Sequence, residues 1–225
     1  MTTQLLKHIN YADTPNMLTM AADAGITVPL VAVYCGSRAG NDVRYTEQAY
    51  AFGQALVKAG LGLVYGGGSV GMMGAVADGV LSENGVAVGI IPDFLTAKEK
   101  AHKGVGHLYI SDSMHTRKAL MATYASAFVV LAGGFGTLDE VMEIATWRQL
   151  DQHQKPIMIL NTNGFYDAMI AHIKHTAEVG FMRQIDCERI EVYEDIEALI
   201  GCLIGRCRDD NAHLIAPSDV ILRQG

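Results

Sequence analysis

Charge is scarce in this chain and leans negative: 18% of its 225 residues are charged, for a formal net charge of -7. No stretch gathers lysines and arginines into a basic stripe, so a nucleic-acid polymer is not an expected partner. The same balance argues against docking on an anionic membrane surface. Cysteine is sparse too. Cys35, Cys187, Cys202 and Cys207 contain no C-x-x-C pair, which suggests neither a zinc site nor a disulfide framework and reads as reduced thiols. The apolar runs fall far short of the ~20 residues of a membrane span. Lys7, Asn10, Asp13 and Asn16 come before any long apolar run, which is not the plan of a secretory signal, so the expected location is the cytoplasm. Proline-rich linkers, repeats and low-complexity tracts are missing as well, and one domain is the simplest account.

What the chain has is apolar residues, 50% of the total, enough at this length to build one core without disulfide or metal. Short β-branched runs recur: Pro29 to Cys35, Leu61 to Tyr65, Val86 to Ile91, Ala127 to Leu131 and Pro156 to Leu160. Helical stretches lie between and after them: Arg44 to Ala59, Gly71 to Glu83, Met114 to Ala125, Leu138 to Gln152 and Phe165 to Val179. Continuously apolar strands alternating with helices predict a doubly wound, Rossmann-like α/β fold with a parallel sheet covered on both faces. The expected layout is an N-terminal extension over 1–28, a nucleotide-binding α/β domain over 29–208 and a C-terminal tail over 209–225.

Two strand ends run into glycine clusters that open helices, on the sheet edge where ligands bind. The first, Gly66-Gly67-Gly68-Ser69-Val70-Gly71-Met72-Met73-Gly74, contains a G-x-G-x-x-G match at Gly66, Gly68 and Gly71. It reads either as a phosphate cradle or as tight helix-on-strand packing. A dinucleotide site would add an acidic residue at the end of the next strand; Asp93 lies too far along, beyond Pro92, which ranks a nicotinamide enzyme low. The second cluster, Ala132-Gly133-Gly134-Phe135-Gly136-Thr137-Leu138-Asp139-Glu140, offers unhindered amides, a threonine hydroxyl at the helix cap and a helix N-terminus suited to phosphate. It lacks the lysine of a Walker loop. Both clusters are expected to face one crevice.

Ahead of the second cluster, Ser113 is placed to cap a helix carrying Arg117 and Lys118 in its early turns. Adjacent cations project differently, so one can address a ligand while the other meets solvent or a structural carboxylate. Glu140 and Glu143 share a helix face; a dipole role suits Asp139 well and Glu143 poorly. His172 and His175 read as a solvated face, and Met72, Met73, Met142 and Met169 as gap-filling core. No G-x-S-x-G elbow is present.

Together, the first glycine cluster, Ser113-Met114-His115-Thr116-Arg117-Lys118 and Gly133 to Glu140 closely resemble the LONELY GUY family, long labelled "possible lysine decarboxylase", over roughly Val31 to Ile200. The resemblance implies a phosphoribohydrolase that cleaves the N-glycosidic bond of a nucleoside 5'-monophosphate, usually an N6-substituted AMP in cytokinin biosynthesis, giving free base and ribose 5-phosphate. It implies Arg117 and Glu140 as the catalytic pair. Lys118, Gly133, Gly134, Gly136, Thr137 and Thr146 match nucleotide-contacting positions, and Glu99 matches an acidic substrate contact within a dissimilar segment. Gly67, Gly68 and Ser69 are added as substrate-binding candidates from the first cluster. Ala132 stands where the family usually has proline. No cofactor and no metal are expected, the decarboxylase label finds no Schiff-base lysine to support it, and a homodimer is implied. The rival readings are a broad nucleotide 5'-monophosphate nucleosidase and a non-catalytic carrier of a nucleotide or phosphorylated cofactor.

Overall fold

A computed structural model describes residues 7–9 and 25–209. Its strands are β1 (Lys7–Ile9), β2 (Leu30–Tyr34), β3 (Gly62–Tyr65), β4 (Ala87–Pro92), β5 (His107–Ser111), β6 (Ala125–Val130), β7 (Ile157–Leu160) and β8 (Ile190–Tyr193). The helices are α1 (Val43–Lys58), α2 (Gly71–Ser82), α3 (Met114–Tyr124), α4 (Phe135–Gln149), α5 (Asp167–Glu178), α6 (Gln184–Glu188) and α7 (Ile196–Asp209). The strands form one eight-stranded sheet in the order β1-β5-β4-β3-β2-β6-β7-β8, parallel throughout. The doubly wound α/β expectation holds.

The strand chemistry explains this. In β2, Val31 and Val33 face one apolar cluster while Leu30, Ala32 and Tyr34 face the other, so both sheet faces are dry. On the first face lie Phe52 and Leu56 of α1, Val76 and Val80 of α2, and Leu199 and Leu203 of α7. On the second lie Leu120 and Met121 of α3, Val141 and Ile144 of α4, and Tyr166. Fully burying a side chain such as Phe52 or Leu56 stabilises the fold by roughly 1.5–3 kcal/mol relative to exposing it. Glycine brings α1 and α2 unusually close: a Cβ at Gly53 would overlap the Val76 carbonyl, and one at Gly79 the Tyr50 carbonyl.

From β2 the chain winds outward through β3, β4 and β5, then returns to place β6 on β2's other side. The loops after β2 and β6 therefore part at a switch point, which opens a crevice at the strand C-termini.

Two helices begin two or more residues from where the apolar pattern indicates. The helix expected from Leu138 starts at Phe135, directly off Gly134, and ends at Gln149 with Asp151 in a left-handed conformation (φ 57°). The helix expected from Phe165 starts at Asp167, because the Asn161 side chain accepts the Tyr166 N–H and donates to Asp167, building a turn first. Within 1–28, residues 7–9 add the edge strand β1, parallel to β5. Residues 210–225, nearly all of the expected tail, lie outside the described residues.

Candidate active site

The crevice holds a cavity of about 570 Å³. Its walls come from the β2–α1 loop (Cys35 to Asn41), the β6–α4 loop with the start of α4 (Ala132 to Thr137, and Glu140), and α3 (Met114, Arg117). Apolar surface comes from Tyr45, Met72, Met73, Leu95, Phe135 and Phe165.

The two loops meet backbone to backbone. Gly36 N–H donates to the Ala132 carbonyl at 3.0 Å, and a Cβ at Gly133 would lie 2.8 Å from Gly36 N and overlap the Thr137 hydroxyl. Gly133 thus permits both the loop contact and the burial of Thr137, which sits inside the first turn of α4 and not at its cap. Gly134 and Gly136 have open space where a side chain would be. The N-terminus of α4 accordingly presents unhindered amides and the positive end of its dipole to the cavity.

Ser113 caps α3 by accepting the Thr116 N–H, which starts the helix so that Arg117 reaches the cavity. Arg117 is 6% exposed and stands between two carboxylates, its Nη2 3.5 Å from Glu140 Oε1 and its Nη1 3.9 Å from Glu99 Oε2. Arg117 Nε and Glu99 Oε2 are buried with no hydrogen-bond partner among the described residues, and such groups are rare without a role. Burial pushes the Glu140 carboxyl up to about 7 against the pull of Arg117. Burial also raises Glu99, again opposed by Arg117. The site thus brings together a fixed cation, a carboxyl poised near neutrality and a second, partly buried carboxyl.

Of the residues singled out in the sequence, Arg117, Glu140, Glu99, Gly133, Gly134, Gly136 and Thr137 line this one cavity. Lys118 points elsewhere: its ammonium lies 3.2 Å from Asp139 and 3.1 Å from Glu143, at the start of α4. That pair accounts for the half-buried Glu143. Thr146 lies with Phe135, Met142 and Trp147 along a shallow groove on the outer side of α4, its hydroxyl donating to the Met142 carbonyl. Met142, read in the sequence as core, is 39% exposed because it falls on that outer side. Met72 and Met73 are buried as expected and also floor the cavity. His172 and His175 are exposed.

Gly67, Gly68 and Ser69 lie behind the cavity wall. A Cβ at Gly66 would overlap the Arg117 guanidinium. Gly67, in a left-handed conformation (φ 76°), packs on Ile90 and Ile91. Ser69 N–H donates to the carbonyls of Glu99 and Lys100. Of the two readings of this cluster, these contacts support close packing.

The β2–α1 loop escaped notice in the sequence although it carries a signal of the same kind: Cys35-Gly36-Ser37-Arg38-Ala39-Gly40 is a strand end followed by a glycine-bounded turn. Within it, burial raises the Cys35 thiol, which therefore stays protonated.

The "possible lysine decarboxylase" family model matches residues 73–203. A cytokinin riboside 5'-monophosphate phosphoribohydrolase of Rhodococcoides fascians is 40% identical over 82% of this chain and 94% of its own length. The phosphoribohydrolase LOG1 of Arabidopsis thaliana is 41% identical over 68% of this chain and 71% of its own. Among solved structures, the Moco carrier protein of Chlamydomonas reinhardtii superposes with a TM-score of 0.61 at 18% identity, covering 81% of this chain and 99% of that one, a likeness of fold alone. The family description's word "decarboxylase" finds no support in the cavity. None of its lining residues is a lysine, so the residues present do not fit a Schiff-base cofactor.

Proposed function

The chain belongs to the family described as "possible lysine decarboxylase", and from that premise we propose that it hydrolyses the N-glycosidic bond of a nucleoside 5'-monophosphate, releasing free base and ribose 5-phosphate. The observation that carries this reading is the buried Glu140–Arg117 pair facing the cavity beside the glycine-lined start of α4. The names of the similar phosphoribohydrolases support an N6-substituted AMP as substrate.

The geometry suits this chemistry. Breaking a ribosyl C–N bond builds positive charge on the sugar, which an ionised Glu140 stabilises while orienting the attacking water. Arg117 holds that carboxylate in place. The amides of Gly134 and Gly136, in the positive field of α4, hold the 5'-phosphate and fix the anomeric carbon relative to Glu140. Tyr45, Leu95, Met114 and Phe165 offer apolar surface for the base.

A homodimer and a cytoplasmic location complete the proposal. Phe135 is 93% exposed and borders both the cavity and the outer groove of α4, so a second copy covering that groove would also close the cavity's mouth. No disulfide joins the described cysteines, two of which are buried, and this suits a reducing compartment.

The test is Glu140→Gln. Base release should fall by about a thousandfold or more, while calorimetry finds AMP binding weakened less than about tenfold; near-normal turnover would remove Glu140 from the mechanism.

A further inference from the structure

The segment from Asp93 to Gly106 leaves β4, carries Glu99 to the cavity and returns to β5. It is folded on itself by Glu99 N–H donating to the Leu95 carbonyl and Ala101 N–H to that of Thr96. It is laid against the first glycine turn by three backbone contacts. His102 N–H donates to the Gly67 carbonyl at 2.9 Å and Ser69 N–H donates to the carbonyls of Glu99 and Lys100, which sets Gly68 opposite Ala101 as an isolated antiparallel bridge. A Cβ at Gly68 would lie 3.3 Å from the Glu99 carbonyl and 2.9 Å from the end of the Met73 side chain, so the glycine eases the fit of the two segments.

One side-chain contact closes this arrangement. His102 is 8% exposed, and its Nδ1 accepts the Gly104 N–H at 3.1 Å. The ring proton therefore resides on Nε2, which donates to Asp78 Oδ1 of α2 at 3.1 Å. Besides the Glu99 pair with Arg117, this is the polar side-chain tie joining the segment to a helix among the described residues. Glu99 sits only three residues before His102, at the far end of the same folded turn.

We propose that Asp78 and His102 form a latch that pins the Glu99-bearing segment onto the Gly67–Ser69 turn, making both of them positioning residues for Glu99. The glycine turn is then the dock of that segment, which gives the first cluster a role other than phosphate binding. The latch fixes where the Glu99 carboxyl stands against Arg117, and through Arg117 the orientation of Glu140. Its kinetic consequence rests on the hydrolase reading; its structural consequence does not.

A double-mutant cycle tests the latch, with two readouts. Base release from a nucleoside monophosphate is measured for wild type, His102→Ala, Glu99→Gln and the double variant, and amide hydrogen exchange is followed at Ser69 and Ala101. His102→Ala should lower kcat/KM about tenfold, yet by less than about twofold in the Glu99→Gln background. Asp78→Asn, which keeps an acceptor oxygen, should recover most of what Asp78→Ala loses. Exchange at Ser69 should quicken about tenfold or more in His102→Ala. A full tenfold loss in both backgrounds, or unchanged exchange at Ser69, overturns the proposal. If wild type releases no base from any nucleotide, the hydrolase reading fails, and the exchange result alone then upholds or overturns the latch.

Discussion

The guanidinium of Arg117 occupies the volume that a side chain on Gly66 would need. A strand-end glycine of β3 and a helix residue of α3 are thereby locked to each other, and the position of the site's central cation is set by an absent methyl group.

Gly66→Ala is accordingly expected to act on activity more than on stability. The obstructed atoms are the far ends of Arg117 and of Met73, whose sulfur would lie 2.8 Å away, so both can shift at a cost of about 1–3 kcal/mol. Arg117 then leaves Glu140. Base release should fall about a hundredfold with a cooperative thermal transition retained; unaltered turnover would show that Arg117's position is not decisive.

Glu140 gives a stability prediction whose sign follows from its raised pKa. The folded protein holds the Glu140 proton up to about 7, whereas the unfolded chain releases it near 4.5. Between those values the folded state binds more protons, so this residue's contribution to stability falls as pH rises from about 4.5 to 7. Glu140→Gln carries no such charge. Its stability relative to wild type should improve across that window, by roughly 1–3 kcal/mol at pH 8, as read from urea unfolding at pH 5 and pH 8. An equal difference at both pH values would contradict the buried-carboxyl account.

The same group shapes the pH profile. If ionised Glu140 stabilises the developing sugar cation, kcat/KM rises with pH and levels off above a midpoint near 7, the free-enzyme value of that carboxyl. A profile that falls across pH 6 to 8 would mean that the protonated form works, as an acid.

Lys118→Ala is expected to be chiefly a stability variant. In one chain its ammonium is held by Asp139 and Glu143, and removing it leaves Glu143 half-buried without its partner, at about 1–2 kcal/mol. Thermal unfolding and turnover measured together separate the roles: a large loss of nucleotide affinity with unchanged melting would make Lys118 a ligand contact.

Most of the fold was legible in the sequence because both-face burial leaves uninterrupted apolar runs, as in Leu30 to Tyr34. The strands that escaped were those lacking such runs. β5 has polar His107 and Ser111 at its ends, and β8 sits on the sheet edge, where Glu191 interrupts the apolar pattern. In the site, Arg117 and Glu140 were legible as a pair only through the family resemblance of their two motifs, since they stand on different helices, whereas Thr137 was legible from the glycine loop that opens its own helix. Glu99 was named through the same resemblance, but the docking of its non-periodic segment on a distant glycine turn was not legible. Nor was the face taken by Lys118, which depends on how α3 and α4 pack.

The most direct measurement of the central claim is chromatographic detection of free base from AMP and from isopentenyl-adenosine monophosphate, with unphosphorylated adenosine as control. The account predicts release from the monophosphates, little or none from adenosine, and loss of release in Glu140→Gln. Tight AMP binding without release of base from either monophosphate would contradict it and make the chain a carrier of phosphorylated ligands.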